Sequence, residues 1–201
     1  MDLKLIYGNM RALCEAPQMM LHYADIPYEY KMVWDHYGSS WAEVKKDIIF
    51  NRLPILIINE DKYLWQSNTI IRYLSNLTKT KPSDEFQLAY CDAVFESTHE
   101  MFSPLNPTIN MTFGEKYNSN KKKLLEDILP NSLNNFEKLL QNSSGNFFIG
   151  NDPFYCDFNA YHHFSMCLIL DKNIFSNFPN LKKFINNFCL LYTSDAADES
   201  T

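Results

Sequence analysis

Hydrophobic residues in the first 77 positions switch repeatedly between strand-like and helix-like spacing. Short apolar runs predict four strands, at residues 3–7, 27–33, 53–59 and 62–65. Apolar residues that recur every three or four positions predict three intervening helices, at residues 13–24, 39–48 and 67–77. The order βαβ(α)ββα predicts an α/β domain that ends near Leu77.

A polar, charged stretch that carries a proline, residues 79–84, predicts a linker after an N-terminal domain over 1–78. Beyond it the apolar positions follow helical spacing alone, which predicts an all-helical domain over 85–192. Four apolar faces mark its helices, with one phenylalanine from each at Phe95, Phe136, Phe158 and Phe184. We expect SPLNPT at 103–108 to break the first helix and Pro130 to kink the second.

The last nine residues, TSDAADEST at 193–201, are small and acidic in a chain otherwise rich in Asn, Lys and Phe. Such a change of composition is typical of a non-native end, for example sequencing-adapter read-through. We therefore expect the native fold to end before residue 193.

Composition narrows the function classes. The 201 residues are 46% hydrophobic and 21% charged, with a formal net charge of −6, as is ordinary for a soluble globular protein. The only basic cluster, Lys121–Lys123, is interpreted as a solvated helix start, so we expect no nucleic-acid partner. No apolar stretch reaches the ~18 residues of a membrane span. Five scattered cysteines without CxxC spacing favour a reducing, cytoplasmic location.

Leu53–Pro54 stands at the start of a predicted central strand, where a proline removes a hydrogen-bond donor from the ladder. A cis bond here would turn the chain and leave the backbone N–H and C=O of Leu53 open to a ligand. The alternative is a trans proline at the mouth of an edge strand. Frequency alone favours trans, because only about 5–6% of X–Pro bonds in folded proteins are cis.

Ser67 opens the helix predicted over 67–77, and Gln66 stands directly before it. The unpaired N–H groups and partial positive charge of a helix start bind carboxylates and phosphates. Ser67 and Gln66 would add hydrogen bonds to such an anion. The alternative is that Ser67 only caps its own helix, which is the more frequent role of a serine at this place.

Tyr7 ends the first strand, and Arg11 leads into the first helix. The phenolic O–H of Tyr7 could be aimed at a thiol placed at that helix start, where a fixed donor favours the thiolate. A half-buried aromatic residue is the alternative interpretation of Tyr7.

Cys14 is expected to pack as a small apolar residue. His162 and His163 are adjacent and expected to face different sides of their helix, so we expect no metal site.

Taken together, these residues resemble a known family in order and in local sequence: Tyr7, Arg11, Leu53-Pro54 and Gln66-Ser67. They resemble the cytosolic glutathione transferases, near the sigma and mu types, from residue 3 to about 190. The most specific parts are LPIL and WQSNTIIRYL, and IGNDPFYCDFNAYHH at 149–163 resembles the start of the family's buried helix. The resemblance implies a thioredoxin-like βαβαββα domain followed by an all-helical one, glutathione as co-substrate, no metal, and a homodimer.

The resemblance also implies residue roles. Tyr7 would stabilise the glutathione thiolate, and Leu53, before Pro54, would pair its backbone with the cysteinyl backbone. Gln66 and Ser67 would hold the γ-glutamyl group.

Further roles follow for less specific positions. Trp41 and Lys45 match residues that contact the glycine end of glutathione. The partner subunit would add an acidic residue, either Glu100 or Glu96. The electrophile would lie near a group of apolar residues: Met101, Phe102 and Leu105.

Several positions depart from the family pattern. Arg11 would support the site, but the second arginine common in this stretch is Leu13, which puts the activation of Tyr7 in question. The arginine usual in the first helix is Gln18. The Ser/Thr cap of the buried helix is Phe154, so Asp157 would lack its capping-box partner.

The resemblance implies an enzyme that adds the glutathione thiolate to small hydrophobic electrophiles, as in detoxification. A glutathione-dependent isomerase is not separable from it by sequence. A non-catalytic binding or structural protein with the same fold is an alternative, which retention of Tyr7, Gln66 and Ser67 disfavours. A thiol oxidoreductase that uses Cys14 is a third, weaker alternative, since it would need an electropositive setting.

Overall fold

The structure is a computed structural model that describes the backbone of residues 1–198 and the side chains of residues 1–191. Its chain divides into two compact units, one over Met1–Lys81 and one from Pro82 onward. This division falls inside the predicted linker. The last helix runs to Asp198, whereas 199–201, the end of the predicted non-native tail, lie outside the described residues.

The first unit contains four strands and four helices. The strands are β1 (Leu3–Tyr7), β2 (Glu29–Met32), β3 (Ile55–Ile58) and β4 (Lys62–Trp65). The helices are α1 (Glu15–Tyr23), α2 (Val33–Tyr37), α3 (Trp41–Val44) and α4 (Ser67–Leu77). All four predicted strands are present within their predicted ranges. Helix α2 was not predicted, because its five residues are too few to show a helical period.

The strands form one mixed sheet in the order β2-β1-β3-β4. Strand β1 runs parallel to β2 and antiparallel to β3, and β3 runs antiparallel to β4. Helices α1 and α4 pack against each other. Helix α4 buries the apolar residues that its spacing marked, Ile70, Ile71 and Leu74. The predicted N-terminal fold class is therefore confirmed.

The second unit is helical throughout its described part. Its α-helices are α5 (Glu85–Met111), α6 (Gly114–Lys123), α7 (Leu129–Gln141), α8 (Tyr155–Leu170) and α9 (Pro179–Asp198). A π-helical turn over Leu124–Ile128 joins α6 to α7. The prediction of an all-helical second domain is confirmed.

The predicted break at 103–108 is wrong, because α5 continues through Pro104 and Pro107. The face formed by Met101, Phe102 and Leu105 stays buried along this stretch, and α5 packs along α8. Most helical stability in proteins comes from such packing rather than from local propensity. Here it outweighs the backbone hydrogen bonds that the two prolines cannot make.

One smaller prediction in this unit is also corrected. Lys121–Lys123 lie in the last turn of α6 and not at a helix start. Their positive charges there complement the partial negative charge of the helix C-terminus. Pro130 lies in the first turn of α7, directly after the π-helical turn that ends at Ile128. The kink at Pro130 stays a prediction.

Asp157 organises the start of α8 although its helix lacks a Ser or Thr cap. Its Oδ2 accepts a hydrogen bond from the backbone N–H of Phe154 at 2.9 Å, and its Oδ1 accepts one from the N–H of Phe148 at 3.0 Å. Phe154 provides no side-chain cap, as predicted, but its backbone N–H keeps the other half of the capping box. Asp157 is completely buried, and burial raises its pKa to about 7 against the lowering effect of these N–H donors.

Three histidines meet between α5 and α8. The rings of His162 and His163 have centroids 5.4 Å apart, and His163 lies 6.3 Å from His99 and stacks on Phe102 at 4.5 Å. His162 and His163 are both buried, so neither imidazole faces solvent. Burial, followed by the neighbouring imidazoles, lowers the pKa of His163 well below its usual 6.5.

This burial predicts acid lability. Below about pH 6.5 an unfolded His163 binds a proton that the folded one does not, so its contribution to stability is complete above pH 6.5 and falls below it. We expect the free energy of unfolding to fall less steeply between pH 7 and 5 in His163→Phe, by up to about 1.4 kcal/mol per pH unit relative to wild type. Urea titrations at several pH values measure this difference.

The comparison must be between variants, because Asp157 acts with the opposite sign: a carboxyl with a raised pKa loses stability as pH rises from about 4 to 7. His22→Phe is the matched control, since His22 is exposed. Parallel curves for wild type and His163→Phe would contradict the prediction.

Candidate glutathione site

Three strand ends lie side by side at one end of the sheet, here called its edge. The pairing places Ile6 of β1 opposite Ile55 of β3, and Ile55 opposite Trp65 of β4. Each next residue outward therefore lies at the same edge: Tyr7 as the last residue of β1, Pro54 just before β3, and Gln66 just after β4. The register brings together three groups that are far apart in sequence.

Tyr7 is nearly buried, with 7% of its surface exposed. Its hydroxyl oxygen accepts a hydrogen bond from the backbone N–H of Leu13 at 3.3 Å. Burial raises the pKa of Tyr7, and the Leu13 N–H opposes that rise only in part. The phenol therefore remains protonated at neutral pH, with its oxygen held from one side and its proton available to donate on the other.

Leu13 stands where the family commonly has a second arginine, but it still contacts Tyr7 through its backbone. The position supplies its backbone N–H to Tyr7 through the short 3₁₀ turn Ala12–Cys14, so the contact does not depend on the side chain. Arg11 makes an ion pair with Glu15 at 2.7 Å and is largely exposed. Sequence reasoning missed the backbone contact, since residue types alone do not show where an N–H points.

The Leu53–Pro54 bond is cis, the alternative that frequency alone disfavoured. Pairing in β3 begins at Ile55, so Leu53 lies outside the ladder. Leu53 and Trp41 both pack against one buried cluster on the sheet, formed by Ile6, Val33, Ile48, Ile55 and Ile57. The cluster holds these two predicted site residues near each other.

Helix α4 begins without a side-chain cap. Gln66 is its N-cap residue and makes no capping hydrogen bond, while Ser67 is already the first helical residue. The interpretation of Ser67 as a simple cap is therefore wrong. Its hydroxyl makes only a long contact of 3.5 Å to Asn68 Oδ1.

The backbone of Gln66 is strained, with φ 71° and ψ 119°. Residues other than glycine rarely adopt a positive φ, and such strain clusters at functional sites. It lets the chain turn sharply from β4 into α4. Gln66 is exposed and Ser67 lies within the first turn, so both stand beside N–H groups that no side chain caps.

Trp41 and Lys45 lie after β2 and α2, at and just beyond the short helix α3. Ser40 is the N-cap of α3, and its N–H donates to the carboxylate of Glu43 at 3.0 Å. Trp41 is half-buried, and Lys45 is exposed at the start of a 3₁₀ turn. Their contacts with glutathione stay predictions.

The predicted site residues of the second unit fall into two groups. Glu96 and Glu100 are exposed on α5. The predicted electrophile-pocket residues are instead buried: Met101, Phe102 and Leu105. Their role stays a prediction.

The second unit also contains a cavity of about 540 Å³, at the start of α5 and beside the segment before α8. It is lined by Phe86, Tyr90, Phe148 and Phe154 among others. The predicted site residues are not among those that line this cavity.

Cys14 is completely buried, and burial raises the pKa of its thiol. A protonated, inaccessible thiol is a poor nucleophile. The expectation that Cys14 packs as a small apolar residue is confirmed, and its burial disfavours a thiol oxidoreductase mechanism through Cys14.

Comparison with known proteins agrees with this fold. The family model for the glutathione S-transferase N-terminal domain matches residues 1–76, and the model for the C-terminal domain matches residues 99–189. The chain belongs to the glutathione S-transferase family.

Similar proteins span most of the chain. Glutathione S-transferase P of Caenorhabditis elegans is 28% identical over 94% of this chain and 88% of its own. A glutathione S-transferase of Plasmodium yoelii yoelii is 33% identical over 75% of this chain and 77% of its own. The structure of the Pi-class glutathione S-transferase of Onchocerca volvulus superposes with a TM-score of 0.83 at 25% identity, covering 99% of this chain and 93% of that one.

Among residues 1–198, no helix is long and apolar enough to cross a membrane.

Proposed function

We propose that this protein is a glutathione transferase that conjugates the glutathione thiolate to small hydrophobic electrophiles, with Tyr7 as the catalytic residue. The observation that carries the proposal is the sheet register, since it aligns Tyr7, Pro54 and Gln66 at one edge. A hydrogen-bond donor for the thiolate, a backbone partner for the peptide and a binding place for a carboxylate would thereby lie within reach of one tripeptide.

The chemistry depends on the protonated phenol. A free thiol has a pKa of about 8.5, so it is mostly protonated at neutral pH. A fixed O–H donor stabilises the thiolate and lowers the thiol pKa. The thiolate sulfur then attacks the electrophilic carbon, forming the C–S bond, and the electron pair of the broken bond leaves with the leaving group.

The rest of the tripeptide would be held by groups around the same edge. The γ-glutamyl carboxylate would bind at the start of α4, on the uncapped N–H groups and the Ser67 hydroxyl, with Gln66 beside them. Leu53 outside the ladder would pair with the cysteinyl backbone. Trp41 and Lys45 would contact the glycine end, with Lys45 supplying the positive charge for its carboxylate.

The proposal includes partners and location. We infer a cytoplasmic homodimer that acts in detoxification, in which Glu100 of one subunit contributes to the other's glutathione site. The adjacent exposed side chains of Ile49 and Phe50 would offer an apolar contact between subunits. The electrophile would lie beside the α5 residues Met101, Phe102 and Leu105.

A direct assay tests the activity. Purified protein is incubated with glutathione and a generic aryl halide, and the conjugate is measured against an enzyme-free control. Enzyme-dependent conjugation is expected. Binding of glutathione without any conjugation would favour the non-catalytic alternative instead.

The proposed carboxylate-binding site at the start of α4, which includes Ser67, gives a separate prediction. Ser67→Ala removes a hydrogen bond to a charged carboxylate, so we expect glutathione to bind more weakly by about 1–3 kcal/mol, or about 5- to 150-fold in Kd. Isothermal titration calorimetry measures the change. Ser75→Ala is the matched control: Ser75 lies on the same helix, but its hydroxyl donates to the Arg72 carbonyl at 2.8 Å, away from the edge. Equal affinity in all three proteins would remove Ser67 from the site.

A further inference from the structure

Tyr30 of β2 reaches across to the loop that follows the catalytic tyrosine. Its hydroxyl donates a hydrogen bond to the backbone carbonyl of Gly8 at 2.8 Å, although the two residues are 22 positions apart. Gly8 follows Tyr7 directly. The contact therefore attaches the Gly8 carbonyl, one residue beyond Tyr7, to the neighbouring strand.

The sheet explains why Tyr30 can make this contact. Strands β1 and β2 are parallel, with Leu5 opposite Tyr30 and Tyr7 opposite Met32. The long phenol of Tyr30 extends toward the end of β1, where the ladder stops and the Gly8 carbonyl has no strand partner. Tyr30 is half-buried, so water competes only in part for this hydrogen bond.

The attached segment is the one that supplies a donor to Tyr7. It leads from Gly8 through an irregular stretch into the 3₁₀ turn Ala12–Cys14, and the Leu13 N–H in that turn donates to the Tyr7 hydroxyl. Glycine has a permissive backbone. A side chain at Gly8 would meet only Met10 Cε, at 3.9 Å, so the position has no side-chain packing that restricts its backbone. The hydrogen bond from Tyr30 restrains its carbonyl.

The electrostatics agree that the two phenols are neighbours. Burial raises the pKa of Tyr30 most, and the ionisable groups of Cys14 and Tyr7 add to that rise. Tyr30 therefore remains a protonated donor throughout the range in which the enzyme would work.

We propose that Tyr30 is a positioning residue: by holding the Gly8 carbonyl, it keeps the Leu13 N–H against Tyr7 and so keeps the Tyr7 O–H directed at the glutathione sulfur. This role rests on the proposed function. It also makes a structural claim of its own, that the Tyr30 hydroxyl orders residues 8–14.

Tyr30→Phe removes only the hydroxyl and tests both parts. Tyr28→Phe is the matched control: Tyr28 is the same residue type just ahead of β2, but its hydroxyl contacts Gln18 and His22 rather than the loop. The kinetic readouts are kcat, KM for glutathione, and the pH profile of kcat/KM. The structural readout is amide hydrogen exchange of the peptide covering 8–14.

In Tyr30→Phe we expect kcat/KM at pH 6.5 to fall about three- to tenfold, the usual range for one lost hydrogen bond. The apparent pKa of the kcat/KM profile should move upward, KM for glutathione should stay within twofold, and residues 8–14 should exchange faster. Tyr28→Phe should match wild type in each readout.

Each contrary result has a distinct meaning. An unshifted pH profile in Tyr30→Phe, or a loss equal to that in Tyr28→Phe, overturns the positioning role in catalysis. Unchanged exchange of 8–14 overturns the ordering claim, whether or not the protein is active. A wild-type protein without conjugating activity overturns the proposed function and the catalytic role, while the exchange data still decide the ordering claim.

Discussion

Replacing Tyr7 with phenylalanine is expected to lower kcat for glutathione conjugation about 100-fold at neutral pH. The phenol is the one hydroxyl placed at the sheet edge by β1, its pKa is raised by burial, and its oxygen is already held by the Leu13 N–H. Loss of a single preorganised donor to a developing anion commonly costs about 10²- to 10³-fold in rate. Steady-state kinetics with an aryl halide measure the change.

The fall in kcat of Tyr7→Phe should come from weaker stabilisation of the glutathione thiolate and not from weaker binding of glutathione. KM for glutathione should change little, because Tyr7 is not part of the proposed seat for either carboxylate, and raising the pH should restore part of the activity. Tyr28→Phe again serves as the control. Wild-type kinetics in Tyr7→Phe would remove Tyr7 from the mechanism and leave the function without its proposed catalytic residue.

The second large effect concerns stability. Asp157→Ala leaves two backbone N–H groups without their acceptors, that of buried Phe148 and that of half-buried Phe154. An unsatisfied buried donor costs about 1–3 kcal/mol and a half-buried one less, so we expect the free energy of unfolding to fall by about 2–5 kcal/mol. Urea denaturation followed by far-UV circular dichroism measures it, since the described part of the second unit is helical.

A graded series separates the hydrogen bonds from the loss of any acidic residue in this segment. Asp157→Asn keeps one carbonyl oxygen and should lose less stability than Asp157→Ala. Asp152→Ala changes an exposed residue of the same segment and should stay close to wild type. Equal midpoints for Asp157→Ala and Asp152→Ala would mean that the buried carboxylate does not hold the start of α8.

The fold was largely readable from sequence because strand and helix periods are local signals. Strand β4 and helix α4 match their predicted bounds, Lys62–Trp65 and Ser67–Leu77. The errors arose where non-local packing overrides local rules. Helix α5 passes through Pro104 because its face is buried against neighbouring residues, and this burial is invisible in the local sequence.

The site was predictable in its residues but not in its geometry. Tyr7, Leu53–Pro54 and Gln66–Ser67 were selected by type and order, whereas their meeting depends on a strand register that the sequence alone did not specify. The contacts missed were those that use the backbone: the Leu13 N–H on Tyr7, and the Gly8 carbonyl held by Tyr30. The only sequence pattern that pointed to the Tyr30 contact was the alternation of tyrosines at positions 28 and 30.

The central claim is that Tyr7 stabilises the thiolate of bound glutathione. The most direct test is an ultraviolet titration of the thiolate absorbance in the complex of wild-type protein with glutathione. We expect the pKa of the bound thiol to lie about two units below that of free glutathione, which corresponds to the 100-fold rate effect expected for Tyr7. In the Tyr7→Phe complex it should return toward the free value. A bound thiol in the wild-type complex that titrates like free glutathione would contradict the account.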